Sequence, residues 1–357
     1  MATMTVVLET DALNPDIRVI EEGARILLRG GLVAFPTETV YGLGAVAFFE
    51  KSVSKVFEVK KRPPDNPLII HISSMEMLEK VAVKIPEDAF KLAERLWPGP
   101  LTLVLPRHPS VPKITTGGLD TVAVRMPAHP VALKLIELTG YPIAAPSANL
   151  SGRPSPTTAE HVLRDLEGRI DAIIDAGETF LGVESTVLNI LEDPPVLLRP
   201  GAFPVEDIER ILGKKIHIPV FARGYTQAEI ALAPGMKYRH YAPEAPLILV
   251  EATEESPELI ARKVISALRS HAPASSDICI IASSETRCFY EQLEGVREVF
   301  TIGSRRNLYE VARNLFKILR STDEAGCRVV VVEGFPETGI GLAVMNRLRK
   351  ASSLIIR

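Results

Sequence analysis

Between residues 15 and 29 apolar side chains recur at helical spacing, with Ile17, Ile20, Ala24, Leu27 and Leu28 on one face. Asn14 before Pro15 reads as an N-cap followed by proline at the first helical position, and Gly30-Gly31 as the stop. The pattern then changes to short apolar runs bounded by polar turns. Residues 32–35, 68–72, 102–105, 121–125, 142–145, 173–174, 186–190 and 196–198 read as strands, with helical stretches at 89–96, 130–138 and 204–212. This irregular mixture predicts a twisted, open mixed sheet rather than simple strand–helix repetition. From Pro246 the period is regular. Strands at 247–250, 278–281, 299–302 and 328–332 alternate with helices at 258–270, 285–293, 307–320 and 339–351, which predicts a smaller, parallel, Rossmann-like sheet.

The fold class is therefore α/β in two unlike parts, 14–205 and 244–357, joined by a connection over 206–243. That connection carries Lys237-Tyr238-Arg239-His240-Tyr241, a density of rings and cations that a passive tether rarely has. The prolines support the division: there are 28 in 357 residues, and all but Pro257, Pro273 and Pro336 lie at or before Pro246. Charge removes other classes. Residues 1–205 carry 20 basic and 25 acidic side chains, so this part lacks the basic balance of a duplex-binding module. Cys279, Cys288 and Cys327 are odd in number and without metal-ligand spacing, and are expected to be buried reduced thiols of a cytoplasmic protein. There is neither an apolar run long enough to span a membrane nor a signal pattern at the start.

Nucleotide and hydrolase fingerprints are missing: no P-loop, no G-x-G-x-x-G after a strand, no G-x-S-x-G and no H-E-x-x-H. Gly339-Ile340-Gly341 reads as a plain helix start. What the chain offers instead is a set of polar loops, each beside a strand. Residues 35–43 alternate hydroxyls, and Gly42 and Gly44 let the backbone approach a ligand. Lys60-Lys61-Arg62 precede three prolines in five residues, which would hold the cations stiffly for a polyanion such as phosphate, or else form a solvated charge run. His71 sits in an apolar strand and reads by itself as a core histidine. Arg125, at a strand end, needs an anionic partner if buried, either a substrate carboxylate or an internal Asp or Glu. Residues 146–152, 182–186 and 198–201 are further polar turns.

Taken together these blocks resemble the YrdC-like family of threonylcarbamoyl-AMP synthases in its two-domain form. The resemblance is carried by Gly31-Leu-Val-Ala-Phe-Pro-Thr-Glu-Thr-Val-Tyr-Gly-Leu-Gly44, Lys60-Lys-Arg-Pro-Pro-Asp-Asn-Pro-Leu68, Trp97-Pro-Gly-Pro-Leu-Thr102 and Val124-Arg-Met-Pro127. It continues through Ala145-Pro-Ser-Ala-Asn-Leu-Ser-Gly152, Glu184-Ser-Thr186, Leu198-Arg-Pro-Gly201 and Pro234-Gly-Met-Lys-Tyr-Arg-His-Tyr-Ala-Pro243. It implies a YrdC-like catalytic domain over 14–205, a linker over 206–243 that closes as a lid, and a C-terminal domain over 244–357.

The implied reaction joins L-threonine, bicarbonate and ATP, with Mg2+ on the phosphates and release of pyrophosphate. A downstream threonylcarbamoyl transferase complex then acts on tRNA, and any contact of this chain with tRNA is weak. By the same resemblance Lys60, Arg62, Ser147 and Asn149 surround the phosphates and the reacting carbon. Arg62, Asn66, Thr121, Ala145, Ser147, Ser155, Arg199 and Tyr241 bind ATP. Thr37, Thr39, His71, Arg125 and Ser185 hold threonine, and Tyr238, His240 and Tyr241 belong to the lid. Two rivals are weighed. A carbamoyltransferase-type maturation factor would add zinc-finger cysteine pairs, which three scattered cysteines do not provide. An RNA-binding module using the concave face is disfavoured by the acidic balance of residues 1–205.

Overall fold

The computed structural model describes residues 4–236, 241–252, 256–271 and 277–357. The chain divides into two compact units. The first comprises residues 1–151, 155–222 and 226–238; the second comprises 152–154, 223–225 and 239–357.

In the first unit the strands are β1 (Val6–Glu9), β2 (Val33–Phe35), β3 (Gly42–Val46), β4 (Ile69–His71), β5 (Leu101–Pro106), β6 (Thr121–Arg125), β7 (Ile143–Ala144), β8 (Ala172–Asp175), β9 (Thr186–Asn189) and β10 (Val196–Arg199). They form one mixed sheet in the order β1-β8-β2-β3-β7-β4-β6-β5-β9-β10. Pairs β1/β8, β2/β8, β4/β6 and β5/β9 are parallel, and the rest antiparallel.

Strand β3 falls where the hydrophobic pattern predicts only a polar loop. Its glycines explain why: Phe35 packs across the hairpin, and a Cβ on Gly44 would stand 2.8 Å from the Phe35 ring and 2.9 Å from Ile143. With no side chain at that position the backbone of β3 can pair beneath the ring. The first helix is Ile17–Leu28, and its N-cap is Asp16, not Asn14. Asp16 accepts from the Arg18 amide at 2.9 Å, while the Asn14 amide is taken by Asp11 in the preceding turn at 2.7 Å. Helices Glu50–Lys60, Met75–Val81 and Ala159–Leu166 add to those read from periodicity.

The second unit holds β11 (Leu247–Val250), β12 (Ile278–Ser283), β13 (Val296–Gly303), β14 (Val329–Glu333) and β15 (Leu354–Ile356), all parallel, in the order β13-β12-β14-β11-β15. Ile248, Val250, Ile260, Val264, Ile280 and Val331 form its core, each contributing about 1.5–3 kcal/mol by leaving water. The predicted helix 285–293 is only a 3-10 turn, Arg287–Phe289. Buried Glu333 collects the Ser283 amide (2.9 Å), the Thr286 hydroxyl (2.7 Å) and the Tyr290 hydroxyl (3.3 Å), and these bonds bend the chain out of helical geometry. The cysteines also differ from expectation: Cys279 and Cys327 form a disulfide, and Cys288 is exposed. Cys279 pairs with Val330 across β12 and β14, so residue 327 lies close by, with Cα atoms 5.7 Å apart.

Candidate functional site

The site is built on strand ends of the first unit. Arg125 closes β6, and the parallel register sets it beside His71 at the end of β4. Both are buried. Arg125 donates through Nη1 to the Thr39 hydroxyl at 2.9 Å. Thr39 and Thr37 hydroxyls lie 2.8 Å apart, and Thr37 also bonds the Val40 carbonyl at 2.7 Å. If Thr37 gives its proton to Val40, Thr39 must donate to Thr37, so the chain of hydroxyls has one direction and fixes the guanidinium. The anionic partner of Arg125 is internal: Glu38 Oε2 lies 2.5 Å from Nη2. That contact lacks hydrogen-bond alignment, and Nε, Nη2 and both Glu38 oxygens are without hydrogen-bond partners. The Nε–Nη2 edge is the one on which a planar carboxylate sits bidentately.

His71 differs from a satisfied core histidine. Its ring meets Phe35 edge-on, with centroids 6.2 Å apart, and its Nδ1 is buried without a partner. Burial, reinforced by the charge of Arg125, pushes its pKa down to about 3 against the pull of the Ile69 and Ile143 backbones. The ring is therefore neutral at physiological pH.

A second cluster begins where the helix Glu50–Lys60 ends. Lys61 turns the chain in the left-handed conformation, φ 51°. Lys60 is 1% exposed, and its Nζ donates to the carbonyl of Ser147 at 2.5 Å and to that of Asn149. The Ser151 amide returns to the Lys60 carbonyl at 3.0 Å. Ser147 Oγ lies 2.5 Å from Asn149 Oδ1, and Asn149 Nδ2 donates to the Leu150 carbonyl at 2.8 Å. Arg62 donates through Nε to the Asn66 carbonyl (3.0 Å) and through Nη2 to the Pro67 carbonyl (2.9 Å), while Asn66 Oδ1 is buried without a partner. Two of the three cations read as a grip on a polyanion thus also brace their own loops. The turn at 146–149 is tied to its neighbours by a bridge between Gly42 and Ser147, and the Ala145 amide reaches the Ile69 carbonyl at 2.9 Å.

A third group lies across β5, β9 and β10. Ser185 Oγ meets Thr102 Oγ1 at 2.8 Å, and Arg199 Nη2 reaches the Ser185 carbonyl at 2.9 Å and, through Nη1, the Pro234 carbonyl at 3.3 Å. Gly201 is required here, since a Cβ would fall 2.2 Å from the Ser185 carbonyl carbon and the Thr186 nitrogen. Ser155 donates to Glu184 at 2.7 Å, and Thr121 opens β6, half-buried. Ala233 and Met236, from the connection, pack on Ile69, Ala123, Val187 and Leu198 of the same sheet.

Tyr241 belongs to the second unit, φ 70°, with its ring 5.1 Å from Phe316 and 5.7 Å from the Arg347 guanidinium. Tyr238 and His240 lie outside the described residues. Sequence reasoning assigned no role to Glu38, Thr102 or Glu184. The signal for Glu38 was present: a lone acid between two threonines, directly after a buried strand. Among the described residues no three His, Cys, Asp or Glu side chains gather as a metal site, and no helix is long and apolar enough to cross a membrane.

A mixed sheet thus ends in a neutral imidazole, a buried guanidinium with an unpartnered Nε and bundled hydroxyls, a convergence of polar groups of the kind that small-molecule sites use. A family profile described as Telomere recombination matches residues 25–201, and one described as Threonylcarbamoyl-AMP synthase, C-terminal domain, matches 203–353. The threonylcarbamoyl-AMP synthase of Pyrococcus abyssi is 54% identical over 93% of this chain and 94% of its own, and that of Bacillus subtilis is 47% identical over 96% and 95%. A crystal structure of P. abyssi Sua5 complexed with L-threonine superposes with TM-score 0.88 at 50% identity, covering 99% of each chain. The chain belongs to the threonylcarbamoyl-AMP synthase family, and it is a two-domain enzyme of that kind.

Proposed function

We propose that the chain forms threonylcarbamoyl-AMP from L-threonine, bicarbonate and ATP and releases pyrophosphate, as a nucleotidyltransferase. In the cytoplasm the product then passes to a threonylcarbamoyl transferase complex acting on tRNA. The observation that carries this reading is buried Arg125, whose Nε has no hydrogen-bond partner and whose Nη2 meets only the unaligned carboxylate of Glu38, beside neutral His71. Arg125 takes the threonine carboxylate; Thr37, Thr39, His71 and Ser185 complete the amino-acid site. Arg62, Asn66, Thr121, Ala145, Ser147, Ser155 and Arg199 line the ATP side, and Tyr241, with Tyr238 and His240, closes over the nucleotide. Asn66 Oδ1, an unpartnered acceptor, suits an exocyclic amine or a hydroxyl.

The threonine amine and bicarbonate give a carbamate with loss of water. A carbamate oxygen attacks the α-phosphorus, forming the O–P bond as the bond to pyrophosphate breaks. No side-chain nucleophile is needed, so positioning and electrostatic stabilisation supply the acceleration. Lys60 and Arg62 contribute fixed positive charge beside the loops that receive the phosphates, and Ser147 and Asn149 orient the reacting group. Mg2+ would be held by the ATP phosphates and water, since no three His, Cys, Asp or Glu side chains gather as a metal site among the described residues, and it would offset the phosphate charge. The test is pyrophosphate release from ATP. It should require both threonine and bicarbonate, and release that is indifferent to threonine sinks the reading.

A further inference from the structure

The loop that holds the Arg125 guanidinium also carries its counter-ion, and that pairing has a consequence for ligand choice. Glu38 is 7% exposed, stands 2.5 Å from Arg125, and neither of its oxygens has a hydrogen-bond partner. A carboxylate in that position contributes charge more than geometry. The other titratable groups nearby are kept neutral. His71, paired in register with Arg125, is uncharged. His129 accepts the Val131 amide through Nδ1 at 3.2 Å at the start of the helix Pro130–Thr139; burial lowers its pKa, and Glu38 pulls the other way. Arg125 and Glu38 therefore cancel, and the cluster they form with His71 and His129 carries no net charge.

We propose that Glu38 is a specificity-determining residue, which makes this site accept a zwitterionic amino acid and reject a carboxylate of the same shape that lacks the ammonium group. The physical reason is charge balance. A pocket holding a lone Arg125 would be matched by an anion, and a desolvated net charge inside a protein is costly. With Glu38 in place, a ligand carboxylate on Arg125 adds one negative charge, which only a cation on the same ligand removes. The ammonium need not touch Glu38, because at low dielectric the balance acts over several ångströms. Electrostatic complementarity of this kind selects among ligands more than it strengthens binding.

This inference rests on the amino-acid reading of the site, and its test separates the two. Binding of L-threonine and of 3-hydroxybutyrate, its analogue without the amine, is measured by calorimetry on the full chain without catalysis. The wild type should prefer threonine by at least about tenfold, the scale of one unbalanced charge in a partly buried site. Glu38→Gln should shift the ratio toward 3-hydroxybutyrate by about tenfold or more, and Glu38→Asp, which restores the charge, should keep the wild-type order. If the wild type binds no threonine, the proposed function itself fails. If the wild type binds threonine but Glu38→Gln leaves the ratio unchanged, the role of Glu38 is refuted while the function stands. Should Glu38→Gln not fold, Glu38→Ala takes its place, with the same shift toward 3-hydroxybutyrate expected and an unchanged ratio overturning the proposal; equal affinity of the wild type for the two ligands overturns it in either case.

Discussion

Lys60→Met removes an ammonium that is 1% exposed and donates to the carbonyls of Ser147 and Asn149. Methionine fills nearly the same volume but donates nothing, so two carbonyls lose a charged donor. Each such loss costs about 1–3 kcal/mol, and the pair therefore about 2–6 kcal/mol. That cost stays within the ~5–15 kcal/mol by which domains are commonly stable, so the variant should fold with a loosened turn at residues 147–151. Urea unfolding followed by fluorescence measures the stability loss, and pyrophosphate release measures the rate. Amide exchange at Ser151, which bonds the Lys60 carbonyl at 3.0 Å, reports the turn itself. The expected result is lower stability, faster exchange at Ser151 and a rate reduced at least ~100-fold, since misplacing an orienting group by about 1 Å has an effect of that order. Wild-type stability refutes the reasoning. So does a lost rate with stability and exchange untouched, which would mean that Lys60 acts on the ligand alone.

Gly201→Ala forces a Cβ to 2.2 Å from the Ser185 and Thr186 backbone; it should cost at least about 3 kcal/mol in urea unfolding, and a shift under ~1 kcal/mol counts against it. His71 is held near pKa 3 when folded and returns to about 6.5 when unfolded, so the unfolded chain takes up the proton first as pH falls. Stability should drop by about 1.4 kcal/mol per pH unit from this residue between pH ~6.5 and ~3; His71→Asn should flatten that slope, and equal slopes in the two proteins count against a neutral buried ring. Thiol titration of the protein unfolded without reductant should find one reactive cysteine, Cys288, and all three after reduction; three without reductant would contradict the Cys279–Cys327 pairing.

The strands read from periodicity are the buried ones. Residues 121–125 match β6 end for end, and 68–72 brackets β4, because continuous Val and Ile runs admit little else. The elements that escaped are those whose cause lies elsewhere in the chain. Strand β3 depends on a ring from β2 lying over Gly44, and the predicted helix at 285–293 yields to Glu333, more than forty residues on. In the site, the residue types were legible but their partners were not. Nothing in the composition of 60–62 shows that Lys60 reaches Ser147, and the alternatives for Arg125 could be resolved only by bringing Glu38 beside it.

The sheet order carries a consequence for synthesis of the protein. Neighbours β4 and β6 lie about fifty residues apart in sequence, β3 meets β7 across about a hundred, and β1 and β2 both pair with β8. Ser185, just before β9, and Arg199, at the end of β10, come from the last two strands of the first unit. A sheet stitched from such distant segments carries a high loop-closure cost before its contacts repay it. A growing chain shorter than about two hundred residues can hold Thr39, His71 and Arg125 yet has no complete pocket. Ligand-dependent protection during translation should therefore begin abruptly once β10 has emerged, without partial binding by the earlier fragments.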